Sequence, residues 1–324
     1  MKTVLPCLLL ALCLSNRPAL DPPQLFLTNG LIQATVYLPD TAQGYYRGTR
    51  FDWAGAFKSL DYKEHSYVEQ WFENYDPKTH DAINGPAEEF VAMGYNDAKP
   101  GDTFVKIGVG VLQRPDEKPY SFARYYPIVN PGKWSVKAYK TGKDVDAVAY
   151  RHDLNDGTGY GYEYTKTVRL IEGRPELVLE HSLTNTGKKL IETSGYNHNF
   201  WVIDKQPTGP QTVVRFPVAV AGKGSGFGST ILVRDSSLVF SRNLAKKESV
   251  YSAGLQGIGV YDFRIENIKS GAGLRATANL PLEKMVFWAC ATTVCPEPYV
   301  RIRAAPGQTV TWTVRYEFYQ NAKP

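Results

Sequence analysis

Residues 160–185 read YGYEYTKTVRLIEGRPELVLEHSLTN, and they contain two runs of residues that favour strands. In both runs, 160–171 and 176–185, aromatic, branched and leucine side chains alternate with polar ones, as in strands buried on one face. Glu172-Gly173-Arg174-Pro175 separates the runs and has the composition of a tight turn. Two strands joined by a short turn pair antiparallel, so this stretch predicts a β-hairpin.

The same pattern recurs along most of the chain. Short alternating or β-branched runs lie on both sides of the hairpin, separated by turn signals such as Asn29-Gly30 and Pro306-Gly307. So many strands exceed what one flat sheet holds before it splits into two packed sheets. No linker or change of composition divides them. We therefore predict an all-β protein with few helices, a large antiparallel sandwich that forms a single domain over residues 20–324.

Composition and charge limit the classes of partner. The 324 residues are 43% hydrophobic and 21% charged, which is typical of a globular protein with a sizeable core. The net charge is only +5, and basic side chains are scattered among acidic ones, so we expect no nucleic-acid partner. The glycine-rich stretch AGKGSGFGST at 221–230 lacks the flanking strand and helix of a phosphate-binding loop. We interpret it as a flexible connection.

The first residues, MKTVLPCLLLALCLS, join Lys2 to a short apolar run. That run is too short to cross a bilayer and is typical of a secretory signal peptide, which we assign to residues 1–19. The protein is therefore expected to be exported, to a periplasm or the outside of the cell. Lipid anchoring through Cys13 is a less favoured alternative, because Leu12 is larger than the residue expected before a lipidated cysteine. No later run is long enough for a transmembrane segment.

Only two cysteines, Cys290 and Cys295, lie beyond this leader. In an oxidising compartment they could form a short disulfide, although the spacing alone does not show whether they do. Two soft ligands are too few for a zinc site, so we expect no metal.

Residues 44–101 differ from the rest, with longer loops, many aromatic residues and dense charge. Long loops in a compact β domain are often functional. Arg47 and Arg50 lie three residues apart beside Trp53, and a guanidinium next to flat apolar rings suits a sugar, which offers hydroxyls and C–H faces. The alternative is that the arginines form salt bridges while the aromatic rings belong to the core.

Three further polar residues of this segment are candidate substrate ligands. Glu88 and Glu89 are adjacent and lie close in sequence to His80. One of two neighbouring acids can bind a hydroxyl or act as a base. A solvated pair at a strand edge is the other interpretation.

Two later segments supply candidate acid–base groups. His198 lies between two amides in SGYNHNFW, close to Asn197 and Trp201. Glu297 is held between Pro296 and Pro298, which restrict the backbone on both sides of the carboxylate. Such rigidity suits a catalytic base, since small displacements of a reacting group are costly. The alternatives are a buried histidine and an exposed acid at a strand edge.

Together these segments resemble the aldose 1-epimerase, or galactose mutarotase-like, superfamily. The resemblance rests on residues 29–53, 177–201 and 295–319 and spans nearly all of the chain after the leader. It implies a large antiparallel β-supersandwich, with Arg50 binding substrate, His198 as general acid and Glu297 as general base. The chain departs from the family at the His-Gly motif expected after the arginine, where INGPAEEF stands instead.

The resemblance implies that the chain interconverts sugar anomers by acid–base ring opening, on a small-molecule sugar or glycan and without a cofactor. In that mechanism Trp53 or Trp201 would stack on the sugar, and Arg47, His80, Glu88, Glu89 and Asn197 would complete the substrate site. Two alternatives remain open at this point: a polysaccharide lyase on the same scaffold, in which the arginines neutralise a uronate, and a glycan-binding module without catalysis.

Overall fold

The computed structural model describes residues 21–321, which contain twenty-two strands and no helix. The strands are, in chain order, β1 (Gln24–Thr28), β2 (Ile32–Tyr37), β3 (Phe57–Tyr62), β4 (His65–Val68), β5 (Ala87–Phe90), β6 (Thr103–Lys106), β7 (Gly110–Gln113), β8 (Ile128–Asn130), β9 (Lys133–Thr141), β10 (Asp144–Asn155), β11 (Gly161–Leu170), β12 (Glu176–Asn185), β13 (Ile191–His198), β14 (Thr212–Arg215), β15 (Ile231–Arg234), β16 (Ser237–Phe240), β17 (Ser249–Leu255), β18 (Asp262–Asn267), β19 (Ala272–Ala278), β20 (Leu282–Cys290), β21 (Val294–Ala304) and β22 (Thr309–Gln320).

The hairpin expected from residues 160–185 is present and belongs to the largest sheet. β11 and β12 pair antiparallel from Tyr162↔Asn185 to Leu170↔Leu177. They lie within a ten-stranded sheet of order β15-β16-β14-β18-β19-β22-β12-β11-β10-β9. The all-β antiparallel architecture predicted from the sequence is therefore confirmed.

The ten-stranded sheet packs with two smaller sheets. One has five strands in the order β17-β20-β21-β13-β5, and the other has four in the order β1-β2-β3-β4. A single apolar cluster joins all three, through fully buried residues such as Leu60 on β3, Leu179 on β12 and Phe287 on β20. This core fixes the five-stranded sheet on one face and leaves its other face to the loops of residues 44–127.

Residues 103–112, TFVKIGVGVL, have the composition of a single strand but lie in two. They form a hairpin of β6 and β7, because the chain turns at Ile107–Val109. Gly108 has φ +73°, and a Cβ there would lie only 2.2 Å from Oδ1 of Asp52. The turn therefore needs glycine both for its backbone conformation and for the close approach of Asp52.

The glycine-rich stretch 221–230 packs against the edge of β17. Ser225 bridges to Tyr251 on that strand, and a Cβ on Gly224 would lie 2.0 Å from the carbonyl oxygen of Tyr251. Its glycines therefore allow close contact between two backbones.

Cys290 and Cys295 are free thiols at the β20–β21 turn, so they do not form the disulfide considered above. Cys290 is partly exposed, whereas Cys295 is fully buried with Thr293 beside its sulfur. The expected signal peptide and Cys13 lie outside the described residues. Between residues 21 and 321 no helix has the length and apolar character needed to cross a membrane.

We expect only one of the two thiols to react with a thiol reagent in the native protein. Burial raises the pKa of the Cys295 thiol well above its ordinary value and hides the sulfur from solvent. A chain carrying Cys7→Ser and Cys13→Ser should therefore show one reactive thiol when folded and two in denaturant, and Cys290→Ser should remove the native signal. If neither cysteine reacts in denaturant until a reducing agent is added, the two form a disulfide instead.

Candidate functional site

A pocket of about 350 Å³ lies where the five-stranded sheet meets the loops of residues 44–127. Its floor consists of side chains from four adjacent strands of that sheet, and its walls come from the loops. The lining residues are Arg50, Trp71, His80, Asp81, Phe122, Tyr196, His198, Phe200, Tyr251, Val286, Trp288, Glu297 and Tyr299. The pocket thus combines aromatic faces with a few ionisable groups, a combination typical of small-molecule sites.

The pairing of β13 with β21 places His198 opposite Glu297. The two strands pair through Tyr196↔Tyr299, and after a gap the same register resumes at the isolated bridge Trp201↔Val294. That constant register makes His198 and Glu297 cross-strand neighbours, and side chains two residues apart on a strand share a face.

The gap in the ladder coincides with the prolines around Glu297. Proline has no N–H to donate to a neighbouring strand. The side chain of Asn199 bridges the gap instead, since its Nδ2 donates to the carbonyl oxygens of Pro296 at 2.9 Å and Asn197 at 3.2 Å. The prolines thus stiffen the backbone around Glu297, while an amide side chain supplies one hydrogen bond across the gap.

His198 and Glu297 are in direct contact in a nearly water-free environment. The Nε2 of His198 lies 3.3 Å from Oε1 of Glu297, and each side chain is only 6% exposed. The imidazole stacks on Phe200, with ring centres 3.9 Å apart. Its Nδ1 is buried and has no hydrogen-bond partner among residues 21–321. Proton transfer by this histidine must therefore use Nε2.

Burial favours the uncharged form of both groups. It raises the pKa of Glu297 to about 8, and the nearby Arg50 only partly opposes that shift. Burial, assisted by the charge of Arg50, holds the pKa of His198 well below its usual value. The free pair therefore carries one proton near neutral pH, on the carboxyl group. Ordinary pKa values place it on the imidazole, as the sequence alone suggests.

Arg50 is held at the pocket wall by two side chains of the sheet. Its Nε donates to Oε2 of Glu89 at 2.8 Å, and its Nη2 donates to the hydroxyl of Tyr196 at 3.0 Å. That hydroxyl donates in turn to Glu89 at 2.6 Å. Nη1 forms no hydrogen bond within the described part of the chain, so it is available to a ligand.

Lys106 contacts both Arg50 and Glu89 from the buried side. It is fully buried, and its Nζ donates to Oε1 of Glu89 at 2.9 Å, the carbonyl oxygen of Arg50 at 2.7 Å and the hydroxyl of Tyr120 at 2.9 Å. Although burial by itself raises the pKa of Glu89, Lys106 and Arg50 lower it, so this carboxylate stays ionised. Two cations on one carboxylate leave the cluster of Arg50, Glu89 and Lys106 with a net positive charge.

Glu88 points away from the pocket, because neighbouring residues on a strand face opposite sides. It lies in the core between the sheets, where its Oε2 contacts Nζ of Lys166 at 2.5 Å and Nε2 of His181 at 2.9 Å. These partners outweigh the effect of burial and hold its pKa below the usual range. Glu88 is thus a structural residue of the core, whereas Glu89 serves the pocket by holding Arg50.

His80 lies at the rim of the pocket. Its Nε2 is 3.4 Å from Oδ2 of Asp81, and its ring lies 5.9 Å from that of Phe122. Burial lowers the pKa of His80, and the charge of Asp81 opposes the shift. The loop therefore presents a second histidine to the pocket, although the chain lacks a His-Gly motif at INGPAEEF.

Four other residues predicted to bind substrate are absent from the pocket lining. Trp53 is buried and donates from Nε1 to the carbonyl oxygen of Gly48. Trp201 packs in the core, and Asn197 faces that core because it alternates with His198. Arg47 is partly exposed outside the pocket. The aromatic surfaces of the pocket are instead Trp71, Trp288, Tyr299, Tyr251 and Phe122.

Sequence reasoning missed these aromatic residues, although register could have found some of them. Trp288 lies on the strand next to Glu297, and Val286 is the residue paired with that glutamate. Trp71 carries no comparable signal, because it comes from an irregular loop and stacks on Phe200 from another segment. No group of three or more acidic, histidine or cysteine side chains within residues 21–321 is arranged to hold a metal ion.

Replacing Lys106 should destabilise the protein strongly. Lys106→Met leaves Glu89 with one cation and removes the donor to the backbone of Arg50, and breaking a buried charged pair typically costs about 3–5 kcal/mol. The free energy of unfolding, measured in urea, should fall by that amount. Lys140→Met, at an exposed position on β9, is the matched control and should change it by less than about 0.5 kcal/mol. Equal effects of the two changes would contradict this role of Lys106.

Comparison with known proteins identifies the fold. No family model matches the chain, and no curated protein is similar to it in sequence. Solved structures do match along nearly the whole chain. The Slr1438 protein of Synechocystis is 13% identical with a TM-score of 0.58, covering 93% of this chain and 97% of its own.

Two further structures carry informative descriptions. A galactose mutarotase related enzyme from Lactobacillus acidophilus has a TM-score of 0.55 at 11% identity, covering 92% of this chain and 97% of its own. An aldose epimerase homologue from C. elegans has a TM-score of 0.54 at 13% identity, with 92% and 99% covered. At such identities the likeness establishes the fold, and the fold expected from the sequence is thereby confirmed: this chain is a divergent β-sandwich of the galactose mutarotase-like type.

Proposed function

We propose that this protein is an aldose 1-epimerase-like enzyme that interconverts the anomers of a sugar. The observation that carries the proposal is the convergence of three distant segments on one pocket, where Arg50, His198 and Glu297 lie together. A cation that can bind hydroxyls and a pair of groups that share one proton are what ring opening requires. The mutarotase-like fold of similar structures supports the same reaction class.

Ring opening moves one proton onto the ring oxygen and removes another from the anomeric hydroxyl. In the proposed mechanism the protonated carboxyl of Glu297 gives its proton to the ring oxygen, while Nε2 of His198 takes the hydroxyl proton. The bond between C1 and the ring oxygen breaks, and C1 becomes an aldehyde. Rotation about C1–C2 and closure on the other face reverse both transfers, so the pair returns to its starting state.

The close contact between the two groups fits this chemistry. Both sugar oxygens that exchange protons are bonded to the same carbon, so an acid and a base that lie side by side can reach both. His198 and Glu297 are 3.3 Å apart through Nε2 and Oε1. Each proton transfer of this kind contributes on the order of 100- to 10,000-fold to the rate.

The remaining pocket residues would bind and orient the sugar. Arg50 lines the pocket and its Nη1 has no hydrogen-bond partner in the described residues, so it would donate to ring hydroxyls. The ring of Trp71 would cover a C–H face of the sugar, in place of the tryptophans suggested by the sequence. We further propose that the protein is exported, on the strength of the leader-like residues 1–19.

The activity is tested by the rate of anomer exchange in freshly dissolved galactose and glucose, followed by polarimetry and NMR saturation transfer. Glu297→Gln and His198→Ala should each lower the protein-dependent rate by about 100-fold or more, since each removes one proton-transfer group. Glu283→Gln, on the exposed part of β20, is the matched control and should retain the wild-type rate.

A wild-type rate in both site variants would remove the mechanism. Binding of sugar by the wild type without faster anomer exchange would instead support the glycan-binding alternative. Release of an unsaturated product that absorbs ultraviolet light, from a uronate polymer, would support the lyase alternative.

The pH dependence follows from the raised pKa of Glu297. The carboxyl must be protonated to act as the acid, and its pKa of about 8 lies above the value of a free glutamate. Activity should therefore be present near neutral pH and fall as the pH rises through about 8. The measurement is kcat/KM between pH 6 and 10. Activity that increases across this range would show that Glu297 acts as an ionised base.

A further inference from the structure

Two large aromatic side chains at the pocket are unusually exposed. Phe122, in the loop wall, is 49% exposed, and Tyr251, on β17, is 46% exposed. Exposed rings at the wall of a pocket mark surfaces that a ligand can cover. The two rings differ in what they already contact.

Phe122 has structural partners. The guanidinium carbon of Arg50 lies 4.2 Å from the centre of its ring, and His80 packs beside it. Tyr251 has no ring or cation contact, and its hydroxyl has no hydrogen-bond partner, within residues 21–321. Its exposed ring therefore has no evident structural role inside this chain.

The backbone of Tyr251 is nevertheless held firmly on both sides. On one side β17 pairs with β20, and Tyr251 lies opposite Trp288. On the other side its N–H donates to the carbonyl oxygen of Ser225 at 3.1 Å, in the glycine-rich stretch. The close approach of Gly224 to the Tyr251 carbonyl requires glycine. A ring on so fixed a backbone can bind a flat ligand with little loss of conformational freedom.

The position of Tyr251 indicates what that ligand is. β17 is two strands away from β21, so the strand of Tyr251 lies about 10 Å from the strand of Glu297. Trp288 lies between them, with its ring 5.6 Å from that of His198. Aromatic side chains therefore lie on successive strands from the acid–base pair to the edge of the sheet, over a distance greater than one sugar ring.

We propose that Tyr251 and Trp288 form a second subsite, which binds the next sugar ring of an oligosaccharide whose reducing end occupies the acid–base site. This inference rests on the proposed function and names its substrate class. We expect the sugar ring bound at this subsite to be uncharged. Arg50 is the only lysine or arginine among the described lining residues, and it lies beside Glu89, so no cation is placed to bind an acidic sugar at Tyr251. Stacking of the sugar's C–H face on Tyr251 and Trp288 supplies the affinity.

The test compares binding of glucose with binding of cellobiose, maltose and lactose, which all carry glucose at the reducing end. Calorimetric titration of the full chain should show that at least one disaccharide binds about tenfold more tightly than glucose, a gain typical of one aromatic contact. Tyr251→Ala should make the affinity for the disaccharide equal to that for glucose. The affinity for glucose itself should change by less than about twofold, which is smaller than the effect of losing one aromatic contact. Tyr251→Phe, which keeps the ring, should retain the ratio.

Tyr139→Ala is the matched control, because Tyr139 is a 37% exposed strand tyrosine outside the pocket. It should retain the wild-type ratio, and thermal unfolding should confirm that both alanine variants are folded. An unchanged ratio in Tyr251→Ala, or no disaccharide preference in the wild type, would overturn the subsite. So would an equal loss of affinity for glucose and disaccharide, which would place Tyr251 against the first ring.

The subsite and the proposed reaction can fail separately. Faster anomer exchange without a disaccharide preference would contradict only the subsite. A preference lost in Tyr251→Ala, without any anomer exchange, would support the subsite and contradict only the catalytic proposal. Absence of binding to all four sugars, together with no faster anomer exchange in galactose or glucose, would contradict both.

Discussion

The register between β13 and β21 is the constraint on which the candidate site depends. It is identical on both sides of a gap in the hydrogen-bonded ladder, and this sets His198 across from Glu297. A slip of either strand by one residue would turn its own side chain into the core and separate the pair. Prolines prevent regular pairing at the gap, and the side chain of Asn199 donates across it to the carbonyl oxygen of Pro296. A fixed register with an interrupted ladder lets two polar groups meet on the open face of a buried sheet.

β5 contributes one buried glutamate to each face of the five-stranded sheet. Its adjacent glutamates point in opposite directions, so Glu88 neutralises Lys166 in the core while Glu89 fixes Arg50 at the pocket. Ionised groups are costly to bury unless they are paired, and each glutamate is paired with at least two donors. The two buried clusters connect the pocket wall to the ten-stranded sheet, so that the guanidinium is held by the core rather than by a loop alone.

The acid–base pair is built differently, because no cation neutralises Glu297 by direct contact in the described structure. Aromatic rings exclude water from both groups, and desolvation then favours the carboxylic acid and the neutral imidazole. Such an environment keeps the carboxyl group protonated at neutral pH, in the way that burial raises the pKa of carboxyl groups in other proteins. Trp288, whose ring lies near His198, is paired across the strands with Tyr251, so the rings that exclude water from the pair also border the proposed second subsite.

The sequence by itself determined the all-β sandwich and the three segments that carry the site, because strand alternation and turn residues are local signals. It also singled out Arg50, His198 and Glu297. Only the tertiary structure decided which glutamate holds Arg50 at the pocket, Glu89 rather than Glu88, and which tryptophans line it, Trp71 and Trp288 rather than Trp53 and Trp201. Such choices depend on register, on loop paths and on burial between sheets. Register, loop paths and burial are set by residues that are distant in the chain. The same burial decides that the shared proton lies on Glu297 and not on His198.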